Sequence, residues 1–524
     1  MEITGGVLAT IIVAIAVAAI ARWRGIGIAI PLLVVGAIIG ALPFGPVAPG
    51  DAGEVFLLIL APLIFGEAMS TSFFDFRRQR GPILALAIGL VVLSSFAVGA
   101  VAQWILPGLS LSLAFALGAV LSPTDAVAVA SVARRGALPR RIVTILEGES
   151  LVNDGTGLTL LRVALTAAAL GAVTVGDVLL ILTRSIVGGL VIGIAIGLII
   201  VWVMRSVRDD LIANCLILIA PFPSYLIAEE IGGSGILAVV ATALLVANAM
   251  LSNRRFRGRM ASVAVWRQLT FILTAFAFFL VGLEIPATLL ALMPGEWRTV
   301  LQLVVAVLIT LLAARALFVF AMVGLSHIGS RERLGLREAV VLAWAGARGP
   351  VSGLAAFSIP AAGLTVEYRD EHRILLATTF CVIAATLLLS PTLGFVARLV
   401  RVRPDDEGER SQALKAALVA RALEALDQAV EQGILDGQPI DAKAERAVRA
   451  QLNALLPVDE GPQRPESGDD IWRLEGLVLR AQYEELLRLR DEEGMSDALV
   501  RPVMAALDLQ SEAHKGRARP SGAA

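Results

Sequence analysis

The chain has 524 residues, of which 57% are hydrophobic and only 17% charged, with a formal net charge of −1 and a mean hydropathy of +0.79. Soluble domains carry about 25% charged and 45–50% apolar residues, so a water-soluble globular protein is excluded, and a near-neutral charge gives no electrostatic footing for nucleic acid. Cys215 and Cys381 sit in apolar runs, and His327, His372 and His514 are scattered, so neither a disulfide framework nor metal-ligand spacing is present.

Apolar runs of about 20 residues recur from residue 5 to residue 400, the mark of an all-α polytopic membrane protein. The first, "ITGGVLATIIVAIAVAAIARWRG", carries its arginines after the apolar stretch, so it is expected to be a retained span and not a signal peptide. Thirteen spans are predicted, centred near 13, 35, 62, 94, 122, 152, 190, 219, 243, 275, 312, 348 and 386. Alternate loops are basic: Arg22/Arg24, "RRQR" at 77–80, Arg134/Arg135/Arg140/Arg141, Arg205/Arg208, "RRFRGR" at 254–259, Arg331/Arg333/Arg337 and Arg398/Arg401/Arg403. By the positive-inside rule these loops are cytoplasmic, which puts the N-terminus outside and the C-terminus inside. After residue 403 the character changes. Residues 1–403 hold 29 bases and 21 acids, and residues 404–524 hold 15 bases and 24 acids, so a transmembrane domain (1–403) is followed by an acidic cytoplasmic tail (404–524).

Two spans are poor continuous helices. Span five contains "LSPTDAVAVA" (121–130), with Pro123, Thr124 and Asp125 near its middle, and span twelve contains "AGARGPVSG" (345–353), with Arg348 and Pro350. Proline removes a backbone donor, and exposed backbone at membrane depth is tolerated only inside protein or beside water. Seven spans apart, the two cross the bilayer in opposite directions. Paired broken helices in antiparallel halves point to inverted repeats and a secondary transporter.

Span six reads "LEGESLVNDGTGL" (146–158). Ser150 and Asp154, four apart, share one helix face, and Glu149 and Asn153 share the neighbouring face, about 100° round. The first pair offers oxygens to a small cation. The second could lock onto adjacent helices, with Arg348 as the expected partner of Glu149. Gly148, Gly155 and Gly157 would let those helices come close. Asp125 could ligate, or cap the half-helix after the break. Glu67, in "APLIFGEAMS", could line a cytoplasmic funnel or snorkel from a helix end. Arg315, mid-span in the eleventh helix, finds no partner from spacing alone, and Glu147 no role.

Membrane carboxylates mark ion or proton paths. Desolvation disfavours the charged form of a carboxyl group, so a proton and a hard cation compete for its oxygens, and only loaded states cross a dry barrier easily. Such exchange needs no cofactor and no ATP, and no "GxxxxGK[ST]" is present.

At these residues the chain resembles the NhaP/NHE-type sodium/proton exchangers of the monovalent cation:proton antiporter family. The likeness spans about residues 50–400 and rests on "SPTDAVAV", "EGESLVNDGTGL", "YLIAEEIGGSGILAVV" (225–240), "FFLVGLEI" (278–285) and "ARGPVSGLA" (347–355). It implies thirteen helices, a six-helix core moving against a dimerisation domain, two crossing discontinuous helices (spans five and twelve) and a homodimer in the lipid of the cytoplasmic membrane, serving pH homeostasis. Asn153-Asp154 resembles the pair of the electroneutral branch, with Asp154 as the cation- and proton-binding carboxylate. Thr124, Ser150 and Glu67 then become further ligands of Na⁺ (K⁺ or Li⁺ in some members), Asp125 steadies the crossing, and Glu149–Arg348 matches a buried ion pair. Ala243, where many members have glycine, departs from the pattern without touching a site residue.

In the tail, residues 411–432, 441–456 and 471–493 have helical patterns, "VDEGPQRPESGDD" reads as a linker and "HKGRARPSGAA" as a disordered end. The stretch 486–510 resembles the tails of bacterial members. Two other functions remain in play: a cation-coupled symporter of an organic anion, which needs a larger polar cavity and a basic group besides Arg348, and a channel or membrane sensor, which needs a continuous polar stripe along a span.

Overall fold

The computed structural model describes residues 2–42, 56–126, 138–170, 174–207, 209–252, 259–329, 334–361, 369–402, 407–435, 438–453, 469–492 and 495–518. Arg134, Arg135, Arg208, Arg254, Arg255, Arg257, Arg331, Arg333 and Arg403 of the basic loops lie outside the described residues, as do span five beyond Ala126 and most of the linker.

Helices dominate. In chain order they are α1 (Glu2–Trp23), α2 (Ala29–Gly40), α3 (Ala61–Ser70), α4 (Phe73–Arg78), α5 (Arg80–Ile105), α6 (Leu111–Leu121), α7 (Arg140–Leu170), α8 (Val175–Ser206), α9 (Asp210–Glu230), α10 (Gly235–Ser252), α11 (Arg259–Leu290), α12 (Glu296–Gly329), α13 (Leu336–Trp344), α14 (Pro350–Ala356), α15 (Arg369–Leu389) and α16 (Leu393–Leu399). Their starts follow ordinary capping chemistry. Ser110 accepts from the Leu113 N–H ahead of α6, Asp209 from Leu211 and Ile212 ahead of α9, and Thr174 with Asp177 forms a capping box on α8.

Among the described residues, six helical stretches are long and apolar enough to cross a membrane: Arg80–Ile105, Gly176–Ser206, Asp210–Glu230, Ala261–Leu290, Glu296–Leu325 and Glu371–Leu399. Shorter apolar helices, α6 and α10 among them, lie between. Leu179, Leu180, Val187, Val191, Leu198 and Trp202 all face outward from α8. A face this apolar is built for lipid, not water. Inside, α6 packs on α5 and α7, while α12 packs on α5, α13 and α15. Leu86, Leu90, Ile142, Ile145, Val319, Val323 and Leu342 form one continuous core there.

The chain divides into two compact units: 1–71 with 76–249 and 261–404, and 72–75 with 250–260 and 405–524. The second unit therefore takes in two short segments that a single boundary after residue 403 leaves with the membrane part. It is built from α17 (Glu407–Gln432), the antiparallel pair β1 (Ile434–Leu435) and β2 (Gln438–Pro439), α18 (Ala442–Asn453), α19 (Asp469–Asp491) and α20 (Asp497–Ala518). Two apolar clusters hold it, one of α17, α18 and α19 around Leu426, Val448 and Leu474, the other of α17, α19 and α20 around Leu418, Leu486 and Val500. Ser72 Oγ donates to Asp497 at 2.8 Å and Ser496 Oγ to Asp75 at 2.7 Å. Arg259 reaches Asp508 through Nε (2.9 Å) and Nη2 (2.5 Å), and the Tyr483 hydroxyl donates to the same carboxylate. The expected disordered end is corrected in part: α20 runs to Ala518, because the Trp472 ring stacks on His514 and its Nε1 donates to the His514 carbonyl at 2.9 Å.

Candidate functional site

The site forms where two helices stop. α6 ends at Leu121, and Ser122–Asp125 continue without helix, while α13 ends at Trp344 and helix resumes only at Pro350. Helix ends leave orphan backbone groups, and here each unwound stretch serves the other. The Asp125 N–H donates to the Ala347 carbonyl at 2.8 Å, and Arg348 Nε donates to the Leu121 carbonyl at 2.7 Å. Arg348 Nη1 also bonds the Gly346 carbonyl, and the Arg348 N–H donates to Thr386 Oγ1 at 3.2 Å. A Cβ on Gly349 would sit 2.6 Å from Asp125 Cβ and Cγ, so only glycine permits this approach.

α7 supplies the polar face beside the breaks. Glu149 accepts from Arg315 at both oxygens, Nη1 to Oε1 at 2.5 Å and Nη2 to Oε2 at 2.8 Å, with both side chains almost fully buried. This overturns the expected Glu149–Arg348 pair. Both arginines lie mid-span, but the α12 residue meets Glu149, while the α13–α14 residue is used up on carbonyls. Arg315 Nε is held by the Leu342 carbonyl at 2.8 Å, which fixes the guanidinium plane for bidentate contact. Thr124 Oγ1 donates to Glu149 Oε1 at 2.8 Å, and Asn153 Nδ2 donates to Thr124 Oγ1 at 3.0 Å and to its carbonyl at 3.1 Å. A directed chain, Asn153 to Thr124 to Glu149 and Arg315, thus pins the unwound stretch to α7.

On the adjacent face, Glu67, Thr124, Asp125 and Asp154 line one cavity, together with Pro123, Gly349, Pro350, Val351 and Ser352. It has room for about one water molecule. Its described lining holds three carboxylates and no basic side chain. Ser150 sits outside this lining, its hydroxyl accepting from the Ala126 N–H at 3.2 Å. Arg162, the base nearest Asp154 along α7, turns away to Glu229 at 3.0 Å and to the Gly233 carbonyl at 3.1 Å.

Residues 8–397 match the family model described as sodium/hydrogen exchanger, transmembrane. The chain belongs to the sodium/hydrogen exchanger family. It is a membrane protein and a secondary transporter of the cation/proton antiporter kind, not an enzyme. An uncharacterised Na⁺/H⁺ exchanger of Mycobacterium tuberculosis is 32% identical over 506 residues, covering 93% of this chain and 92% of the relative. A sodium, potassium, lithium and rubidium/H⁺ antiporter of Bacillus pumilus is 32% identical over 384 residues, covering 70% of this chain and 57% of that one. The sodium proton antiporter MjNhaP1 of Methanocaldococcus jannaschii superposes with a TM-score of 0.62 at 21% identity, over 76% of this chain and 99% of that one. That likeness speaks for the fold.

Within this exchanger, sequence reasoning missed two site residues. Arg315 stands out as a mid-span base, but its partner lies on α7, and spacing within α12 carries no signal for that. Ser352 lies in the "ARGPVSGLA" motif, where neither charge nor spacing distinguishes it from other serines of the apolar runs.

Proposed function

We propose that the protein exchanges Na⁺ for H⁺ electroneutrally, one for one, by competition at Asp154. The observation that carries this reading is the composition of the cavity: three carboxylates, one of them on α7, no basic side chain among its described lining, and room for about one water. Such a lining favours a small cation and disfavours an organic anion, so it speaks against symport.

A proton or a cation on Asp154 neutralises its charge, and the two exclude one another because they use the same oxygens. The empty carboxylate is costly to carry through a dry barrier, so the loaded forms change access and the empty form does not. Asn153, a neutral amide spent on Thr124, leaves the 153–154 pair one exchangeable charge. Glu67, Thr124 and Asp125 complete the cation's surroundings, and Ser150 holds the Ala126 N–H beside them. Glu149, Arg315 and Arg348 hold the frame. In this reading the architecture is thirteen spans with spans five and twelve crossing at their breaks, N-terminus outside and tail in the cytoplasm. It works as a homodimer in the cytoplasmic membrane, without a cofactor. K⁺ or Li⁺ could replace Na⁺, since ligand geometry sets that choice.

Purified protein in proteoliposomes tests the stoichiometry. Na⁺-driven ΔpH dissipation should run at the same rate with the membrane clamped at 0 or at about −100 mV, because a net charge moved would add about 2.3 kcal/mol per 100 mV. A rate that follows the potential would refute one-for-one exchange. Competition also fixes the sign of the pH dependence: the KM for Na⁺ rises as pH falls, with Vmax unchanged.

A further inference from the structure

We infer that Ser352 is an additional ligand-bearing residue of the cation cavity and sets its preference among monovalent cations. The inference rests on the reading that the cation binds at Asp154.

Hydroxyls buried in membrane helices normally close on the carbonyl one turn back, as Ser95 does on Val91, Thr378 on Ile374 and Thr379 on Leu375, at 2.7, 2.7 and 2.8 Å. Ser352 makes no such bond. Four residues earlier stands Arg348, which precedes the helix that begins at Pro350. Ser352 is only 3% exposed, makes no side-chain hydrogen bond with any described residue, and lines the same cavity as Asp154, Glu67, Thr124 and Asp125. A hydroxyl without a protein partner on the wall of this cavity is free to bond a cation or its last water there.

The hydroxyls that sequence reasoning placed on the cation are already committed. Thr124 Oγ1 donates to Glu149 and accepts from Asn153, and Ser150 Oγ accepts from Ala126 outside the lining. Ser352 is the cavity hydroxyl left with both its proton and its lone pairs available. An oxygen opposite a carboxylate defines the width of a cation site, so its removal or enlargement acts on cation size and not merely on occupancy.

The test is cation-driven ΔpH dissipation in proteoliposomes with Li⁺, Na⁺ and K⁺, comparing wild type, S352A and S352T. S352A loses one oxygen contact to a charge, so the KM for the preferred cation should rise about tenfold, and its Li⁺:Na⁺:K⁺ KM ratios should change. S352T keeps the hydroxyl and adds a methyl to a tight cavity, so it should move the ratios toward Li⁺. Wild-type KM ratios in S352T overturn the assignment, whatever the fate of S352A. Unchanged ratios in an active S352A overturn it equally. Wild-type vesicles without any cation-driven ΔpH change would instead remove the functional reading itself, a separate failure.

Discussion

At the scale of single residues, the polar groups of α7 divide into those that face the cavity and those that hold the frame. Glu149 and Arg315 belong to the frame. Removing one partner of a buried pair costs about 3–5 kcal/mol, so R315A and E149Q should both lower the melting temperature of detergent-solubilised protein sharply. A double-mutant cycle should give Glu149 and Arg315 a coupling above about 2 kcal/mol, and Glu149 and Arg348, which share no hydrogen bond, a clearly smaller one. Equal couplings for both arginines would show the pairing to be misassigned. Asn153 makes a second case. Asn153→Asp turns a donor into an oxygen facing the Thr124 hydroxyl and carbonyl, both acceptors toward it. A loss of about 1–3 kcal/mol follows, and a variant as stable as wild type would argue against the directed chain.

At the scale of elements, the fold turns on the ends of α6 and α13, whose free backbone groups meet. Gly349→Ala drives a methyl to within 2.6 Å of Asp125 and should cost about 1–3 kcal/mol as overpacking, with transport reduced in proportion to folded protein. Full transport in this variant would mean the breaks can separate. These interruptions are legible in the sequence, since Pro123 and Pro350 each stand mid-span beside a charge. The apolar periods and the α7 face pairs are legible too, because helix geometry fixes which residues share a side. Which neighbour that side meets is not encoded in spacing. Hence spacing pairs Glu149 with Arg348 where the fold pairs it with Arg315, and nothing in the spacing marks Ser352. In the tail, α17, α18 and α19 follow their amphipathic patterns closely. The helical turn at His514 escapes because its support comes from Trp472, 42 residues away.

At the scale of the molecule, the second unit joins the tail to segments 72–75 and 250–260 of the membrane chain. Asp508 anchors one of these, taking two bonds from Arg259 and one from Tyr483. Asp508→Ala leaves the Arg259 guanidinium buried and unpaired, a cost of about 3–5 kcal/mol, so limited proteolysis should release the tail faster. An unchanged cleavage rate would show this contact to be dispensable. In the function proposed above, transport depends on the other unit, where a carboxyl group costly to leave charged couples two ions by letting only one occupy it. The most direct measurement is ΔpH dissipation by Na⁺ in proteoliposomes holding equal amounts of wild type and Asp154→Asn. If Asp154 is the shared carboxylate, wild type collapses the gradient and Asp154→Asn, though folded, leaves it standing. Undiminished exchange by Asp154→Asn would contradict that role.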